Sequence, residues 1–99
     1  MEIKKTLEEN ILTVALTGRL DTNTAPDLEE LLNENLEDGV SELILDFENL
    51  DYISSAGLRV LLSAQKKMRK IGSMKLTHVS EVVSEIFEVT GFSEILTIE

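Results

Sequence analysis

The stretch ELILDFENLDYISSAGLRVLLSAQKKMRKIGSMKLTHV, Glu42 to Val79, decides the fold. It opens on ELILDF, a short continuous apolar run of the kind expected in a strand buried on both faces. Glu48, Asn49, Leu50 and Asp51 predict a turn. From Ser55 onward, Leu58, Leu61, Leu62, Gln65 and Met68 keep helical spacing, and Gly72 closes the helix. MKLTHV then reads as a second strand. A strand, a helix and a strand in that order imply parallel pairing through a right-handed crossover.

The flanks extend the pattern. Upstream, Ile3 to Leu7 and Ile11 to Thr17 predict two strands of a hairpin around a polar turn at Glu8, Glu9 and Asn10, with Gly18 ending the second strand. LDTNTAPDLEELLNENLEDG predicts the first helix. Thr24 is its cap, Pro26 lies in its first turn, and Asp27, Glu29 and Glu30 favour its positive end. Ala25, Leu28, Leu31, Leu32 and Leu36 make one apolar stripe, and Gly39 suits the left-handed C-terminal position. Downstream, Ser80 begins a third helix whose Val83, Ile86, Phe87 and Thr90 share a face. Gly91 stops it, and EILTIE predicts a final strand. The expected fold is a single α/β domain over residues 1–99. Its order is β-β-α-β-α-β-α-β, with a mixed, mostly parallel sheet and an N-terminal hairpin.

Composition narrows the partners. The net charge of -10 repels phosphate backbones and anionic lipid surfaces, so neither nucleic acid nor membrane is expected as a partner. With no cysteine, thiolate chemistry and disulfides are excluded. The N-terminus lacks the apolar core of a signal peptide, because Lys4 and Lys5 are followed by Glu8 and Glu9. A cytoplasmic location is the expectation. The charge is also segregated. Asp21 to Asp51 holds eleven acidic residues and no basic one, and Arg59 to Lys75 holds six basic residues and no acidic one. These are either two solvated helix faces or two opposed surfaces that orient a protein partner.

Catalytic patterns are sparse. There is no GxGxxG, P-loop or metal-spaced cluster, and no cofactor is expected. His78, the single histidine, reads as structural. SAQK, Ser63 to Lys66, matches an S-x-x-K pattern but sits mid-helix without the companion motifs of such enzymes. Asp46, Glu48 and Asp51 lack the spacing of a calcium loop and read as solvated turn carboxylates. A serine hydrolase would need Ser54 or Ser55 beside a base and an oxyanion hole, which one histidine in so small a chain does not favour.

Ser54 and Ser55 need a reason of their own. An N-cap uses one hydroxyl, worth about 1 kcal/mol. The other is left on a turn at the carboxyl end of a strand, where open α/β sheets bind ligands and partners. Gly57, without a side chain, would let a partner's backbone come close. A phosphate on serine there would meet the free N–H groups and positive dipole end of the helix.

At these residues the chain resembles the STAS domain family, in its single-domain form as a bacterial anti-sigma factor antagonist. TGRLDTNTA, Thr17 to Ala25, is similar to the family segment TGxLDxxTA. YISSAGLRVLL, Tyr52 to Leu62, is similar to its phosphorylation segment DS[ST]GLxxL. The resemblance places the phosphoacceptor on Ser55, the family's preceding aspartate on Ser54 and its second hydroxyl on Ala56. Because that aspartate is replaced, Ser54 is a rival acceptor. The resemblance also implies a partner-binding patch of Asp21, Thr22, Asn23, Ser54, Ser55, Ala56, Gly57 and Arg59.

The implied mechanism is partner switching. The unphosphorylated antagonist binds an anti-sigma factor, a serine kinase with a histidine-kinase-like ATPase fold, and a sigma factor is released. Phosphorylation abolishes that binding, and a metal-dependent serine phosphatase resets it. ATP and magnesium belong to the kinase, so the chain would be a substrate and regulator, not an enzyme. The alternative is a STAS scaffold subunit of a lipid-transport or stress-signalling assembly that is not switched.

Overall fold

The computed structural model spans residues 1–99 and describes all of them except 37 and 38. Four strands form one sheet in the order β1-β2-β3-β4. They are β1 (Glu2–Glu8), β2 (Ile11–Leu20), β3 (Glu42–Ile53) and β4 (Ser73–Thr77). The helices are α1 (Ala25–Asn35), α2 (Ser55–Ile71) and α3 (Glu81–Thr90). β1 and β2 are antiparallel, with Glu8 opposite Ile11, as a hairpin requires. β2, β3 and β4 run parallel, as the strand–helix alternation demands.

All three helices cover the same side of the sheet. Leu12 and Val14 of β2 lie opposite Leu43 and Leu45 of β3, which lie opposite Met74 and Leu76 of β4. These six side chains are buried in one core with Leu28 and Leu32 of α1, Leu61 and Met68 of α2, and Val83 and Phe87 of α3. Phe47 meets Phe87 with ring centroids 6.4 Å apart. Glu42, Ile44 and Asp46 point to the other side and are only half-buried. The ELILDF strand is thus buried on one face, not two. The second face is screened by neighbouring strands, and among the described residues no helix lies over it.

β3 does not end where a turn was expected. It continues through Glu48, Asn49, Leu50 and Asp51 to Ile53, paired with β2 throughout. Ala15 pairs with Asp46 and Thr17 with Asn49, then Gly18 with Leu50 and Arg19 with Tyr52. At each step β3 spends one residue more than β2, which is a β-bulge. The bulges change the inward spacing from two residues to three. Phe47, Leu50 and Ile53 therefore all reach the core, while Glu48, Asn49 and Asp51 face solvent.

The helix ends follow local chemistry in part. Ser80 caps α3, its hydroxyl accepting the Val83 N–H at 3.2 Å, and Gly91 closes α3 with φ 83. Helix α1 stops at Asn35, ahead of the expected Gly39 terminus, and the segment between includes residues 37 and 38, outside the described residues. The Thr24 hydroxyl is not a cap. It is drawn into the turn before the helix, as described below.

The expected last strand shrinks to one contact. After Gly91 the chain makes a 3-10 turn, Phe92–Glu94, and only Ile98 pairs with Leu76 as an isolated parallel bridge. Two reasons are visible. The 3-10 turn takes Glu94, the first residue of the expected strand, and β4 is just five residues long, so little ladder is on offer. Lys75 adds an electrostatic tie, its ammonium 3.5 Å from both Glu99 and Glu42. Glu99 first and Glu42 second hold that ammonium above the usual lysine range.

Candidate functional site

The site grows from the ends of β2 and β3. Leu20 and Ile53 are paired, and the Ser54 N–H donates to the Leu20 carbonyl at 2.9 Å. The turn leaving β2 and the start of α2 therefore emerge side by side at the carboxyl end of the parallel strands. This is the edge where α/β sheets present their sites.

The first half is the turn Asp21-Thr22-Asn23-Thr24. Asp21 Oδ1 accepts the N–H groups of Asn23 at 3.0 Å and Thr24 at 3.2 Å. The Thr24 hydroxyl accepts the Asp21 N–H and donates to the Arg19 carbonyl, each at 2.8 Å. The D-x-x-T spacing in the sequence is thus a reciprocal backbone clasp that launches α1. Part of the Asp21 carboxylate is spent on this structure. Its other oxygen lies 3.8 Å from Arg19 Nε, and the Arg19 guanidinium sits 4.4 Å from the centre of the Tyr52 ring.

This geometry separates two roles of Asp21. Asp21→Ala is expected to cost about 1–2 kcal/mol of stability, because two N–H groups lose their acceptor. Asp21→Asn keeps an acceptor oxygen and is expected to cost less than half as much. Urea unfolding of both variants checks this. Equal losses would mean that the carboxylate charge, not the hydrogen bonding, holds the turn.

The second half is the start of α2. Ser54 is the extended residue before the helix, and its carbonyl accepts the Leu58 N–H at 2.9 Å. Its hydroxyl makes no capping bond and is buried without a partner. The N-cap role expected for one of the serines is therefore not filled by a hydroxyl. Ser55, the first helical residue, is exposed. Arg59 follows one turn later, also exposed, and no acidic side chain lies in the first turn of α2.

Gly57 requires a correction. It is buried, not offered to a partner. A Cβ at this position would lie 2.8 Å from Ile53 Cγ1 and 2.8 Å from Leu20 Cγ. The residue is glycine because α2 begins directly on top of two core side chains from the paired strand ends. Its role is to let α2 start against the strand ends, which holds Ser55 in place.

Two shallow grooves flank Ser55 and Arg59. One lies between the starts of α1 and α2 and is lined by Thr22, Pro26, Glu29, Ala56 and Arg59, among others. The other is lined by Ser55, Leu58, Arg59, Leu62, Thr90 and Phe92. The structure thus sets the Asp21–Thr24 turn and the start of α2 side by side, with Thr22, Ala56 and Arg59 lining one groove and Ser55 and Arg59 the other, and places Gly57 in the interior. Thr90 and Phe92 had no signal in the sequence as site residues, since they arrive from the far end of α3. Arg19 and Tyr52 could be matched only once the bulged register of β2 and β3 was known.

The STAS domain profile matches residues 2–99. The chain belongs to the STAS domain family. Its similarity to BtrV of Bordetella bronchiseptica, a protein assigned as an anti-sigma factor antagonist, is 36% identity over 91 residues, covering 91% of this chain and 78% of that protein. The anti-sigma-B factor antagonist of Staphylococcus aureus is 28% identical over 97 residues, covering 97% of this chain and 90% of that one. Among solved structures, the unphosphorylated anti-sigma factor antagonist SpoIIAA superimposes with a TM-score of 0.86 at 18% identity, over 99% of this chain and 88% of its own. The phosphorylated form of SpoIIAA, a Bacillus cell fate determinant, gives 0.78 at 17% identity, over 99% of this chain and 91% of its own. These two superpositions establish the STAS fold of the chain.

Proposed function

We propose that this STAS domain is an anti-sigma factor antagonist that works by partner switching. The unphosphorylated chain binds an anti-sigma factor serine kinase of histidine-kinase-like ATPase fold, and a sigma factor is freed. Phosphorylation of Ser55 ends that binding, and a serine phosphatase restores it. The chain is a regulator and substrate in this scheme, and ATP and magnesium belong to the kinase. A cytoplasmic location fits such partners. Among the described residues no helix is long and apolar enough to cross a membrane.

The carrying observation is the pair of serines, read beside relatives named as antagonists. Ser55 is exposed at the start of α2, whereas the Ser54 hydroxyl is buried. A kinase needs its acceptor oxygen in the open, so this contrast favours Ser55 over its rival. The clasped Asp21 turn and the two grooves supply a contact surface around it.

The test is phosphoryl transfer from the cognate kinase with Mg-ATP, read by fragment-resolved mass spectrometry. One phosphate on Ser55 is expected, with none after Ser55→Ala and full transfer after Ser54→Ala. Transfer that survives Ser55→Ala and disappears in Ser54→Ala would move the acceptor and refute the assignment. Tight binding with no transfer to either serine would favour the unswitched scaffold, a reading that draws on Ser54 standing where the family pattern has aspartate.

A further inference from the structure

A second constellation lies away from Ser55, where β4 ends beside β3. Asp46 of β3 pairs with Thr77, the last residue of β4. Glu48 follows Asp46 at the first bulge. His78 comes directly after β4, with the left-handed φ of 55. That backbone turns the ring back to β3, and His78 Nδ1 lies 3.0 Å from Asp46 Oδ1. One donor atom from each of Asp46, Glu48 and His78 lies within 4.8 Å of the other two. From sequence, Asp46, Glu48 and Asp51 read as solvated turn carboxylates; the fold instead gathers Asp46 and Glu48 with His78, distant in sequence.

We propose that Asp46, Glu48 and His78 form a binding site for a divalent cation of borderline character, such as Zn2+ or Mn2+. This site is independent of the reading of Ser55. One imidazole nitrogen and two carboxylates are a donor set for such ions, whereas calcium and magnesium prefer oxygen alone. The spacing also fits. Two ligand atoms on bonds of about 2.0–2.2 Å, meeting between a right angle and the tetrahedral angle, lie about 2.9–3.5 Å apart. The His78–Asp46 separation of 3.0 Å falls in that range. A cation would take the place of this hydrogen bond, the ring and carboxylate turning so that both lone pairs meet it. Glu48 is exposed, so its side chain is free to swing in and complete the third contact. Solvent would supply the remaining ligands.

Charge supports the same conclusion. Among the described residues, neither Asp46 nor Glu48 forms an ion pair with lysine or arginine. Two carboxylates therefore converge on an imidazole with no lysine or arginine paired to them, on a chain whose net charge of -10 concentrates cations around it. The Glu48 N–H donates to Asp46 Oδ1 at 3.0 Å, which orients that carboxylate toward the ring.

The single histidine makes the test unambiguous. The tag-free chain, stripped with chelator, is titrated with ZnCl2 and followed by calorimetry and by the NMR signals of the His78 ring. One Zn2+ per chain is expected, with the ring signals moving in step and chelator reversing the change. His78→Asn keeps a residue that tolerates the left-handed backbone and removes the imidazole. This variant and Asp46→Asn should each weaken binding at least tenfold, while Asp51→Asn should leave it unchanged. Mn2+ should broaden amide signals most strongly around residues 46, 48 and 78. Undiminished Zn2+ affinity in His78→Asn would overturn the site. So would Mn2+ broadening spread evenly over the acidic surface of α1, or no binding at all. In any of these cases the trio is only a hydrogen-bonded pair beside a solvated glutamate.

Discussion

Phosphorylation of Ser55 is expected to weaken binding to the anti-sigma factor at least a thousandfold while leaving the fold intact. The modified hydroxyl lies on the first residue of a seventeen-residue helix, where the Ser54 hydroxyl leaves the first-turn N–H groups uncapped. A phosphate there meets free donors and the positive end of the helix dipole. Arg59, one turn on, can pair with it in the i to i+4 relation. The isolated domain therefore tolerates the new charge. The complex is expected not to, because the phosphate would be desolvated against a surface shaped for a hydroxyl. An unpaired buried charge costs several kcal/mol, and a thousandfold change in affinity needs only about 4 kcal/mol. Local charge and sterics are then enough without rearrangement. Calorimetry with the purified partner reads the affinity, and amide NMR of both forms reads the fold. Shifts confined to the surroundings of Ser55 and Arg59, with binding lost, fit this account. Widespread shifts through the strands and α3 would show a rearranging fold and end the local mechanism.

Gly72→Ala and Gly57→Val are expected to be the most damaging substitutions to stability. A Cβ at position 72 would stand 1.8 Å from the Ser41 carbonyl oxygen. That oxygen also accepts the Ser73 N–H at 3.0 Å, the bond that starts β4 beside the residue before β3. A backbone atom cannot rotate away as a side chain can, so the crossover from α2 into β4 must shift. At position 57, valine would be forced into Ile53 and Leu20, both buried. Overpacking typically costs 1–3 kcal/mol and more where backbone must move. About 3 kcal/mol or more for each substitution would remove roughly a fifth to three-fifths of the roughly 5–15 kcal/mol that holds a small domain. Gly39→Ala is the comparison. It has φ 104 but, among the described residues, nothing within 4 Å of a new Cβ, so the left-handed backbone is the resistance there, at about 1–2 kcal/mol. Urea midpoints should fall in that order. A Gly57→Val protein as stable as the parent but unable to bind its partner would return Gly57 to the contact surface.

The same residues show where sequence reading reaches and where it stops. The hairpin, the starts of α2 and α3, and the Ser80 and Gly91 boundaries were readable because each rests on contacts within a few residues. The β3 strand was cut short because Glu48, Asn49 and Asp51 have turn composition. Only the pairing with β2 reveals two bulges that carry those residues outward and keep Phe47, Leu50 and Ile53 in the core. The final strand was overread for the converse reason. Its composition suits a strand, but pairing needs a partner, and β4 offers only Leu76.

The site divides along the same line. Its motif and its place at the strand ends follow from order and spacing in the chain. The orientation of each group does not. Ser54 and Ser55 are chemically identical neighbours, and only packing leaves one hydroxyl buried and the other exposed. Gly57 has the same flexible backbone wherever it occurs, and only the arrival of Leu20 and Ile53 turns it into a core position. His78 and Asp46 are 32 residues apart, and the register of β3 with β4 brings them to 3.0 Å. Sequence alone determined which elements form and in what order, because propensity, periodicity and capping are local forces. The tertiary structure decided which atoms meet and which reach solvent, because those depend on side chains delivered by distant segments.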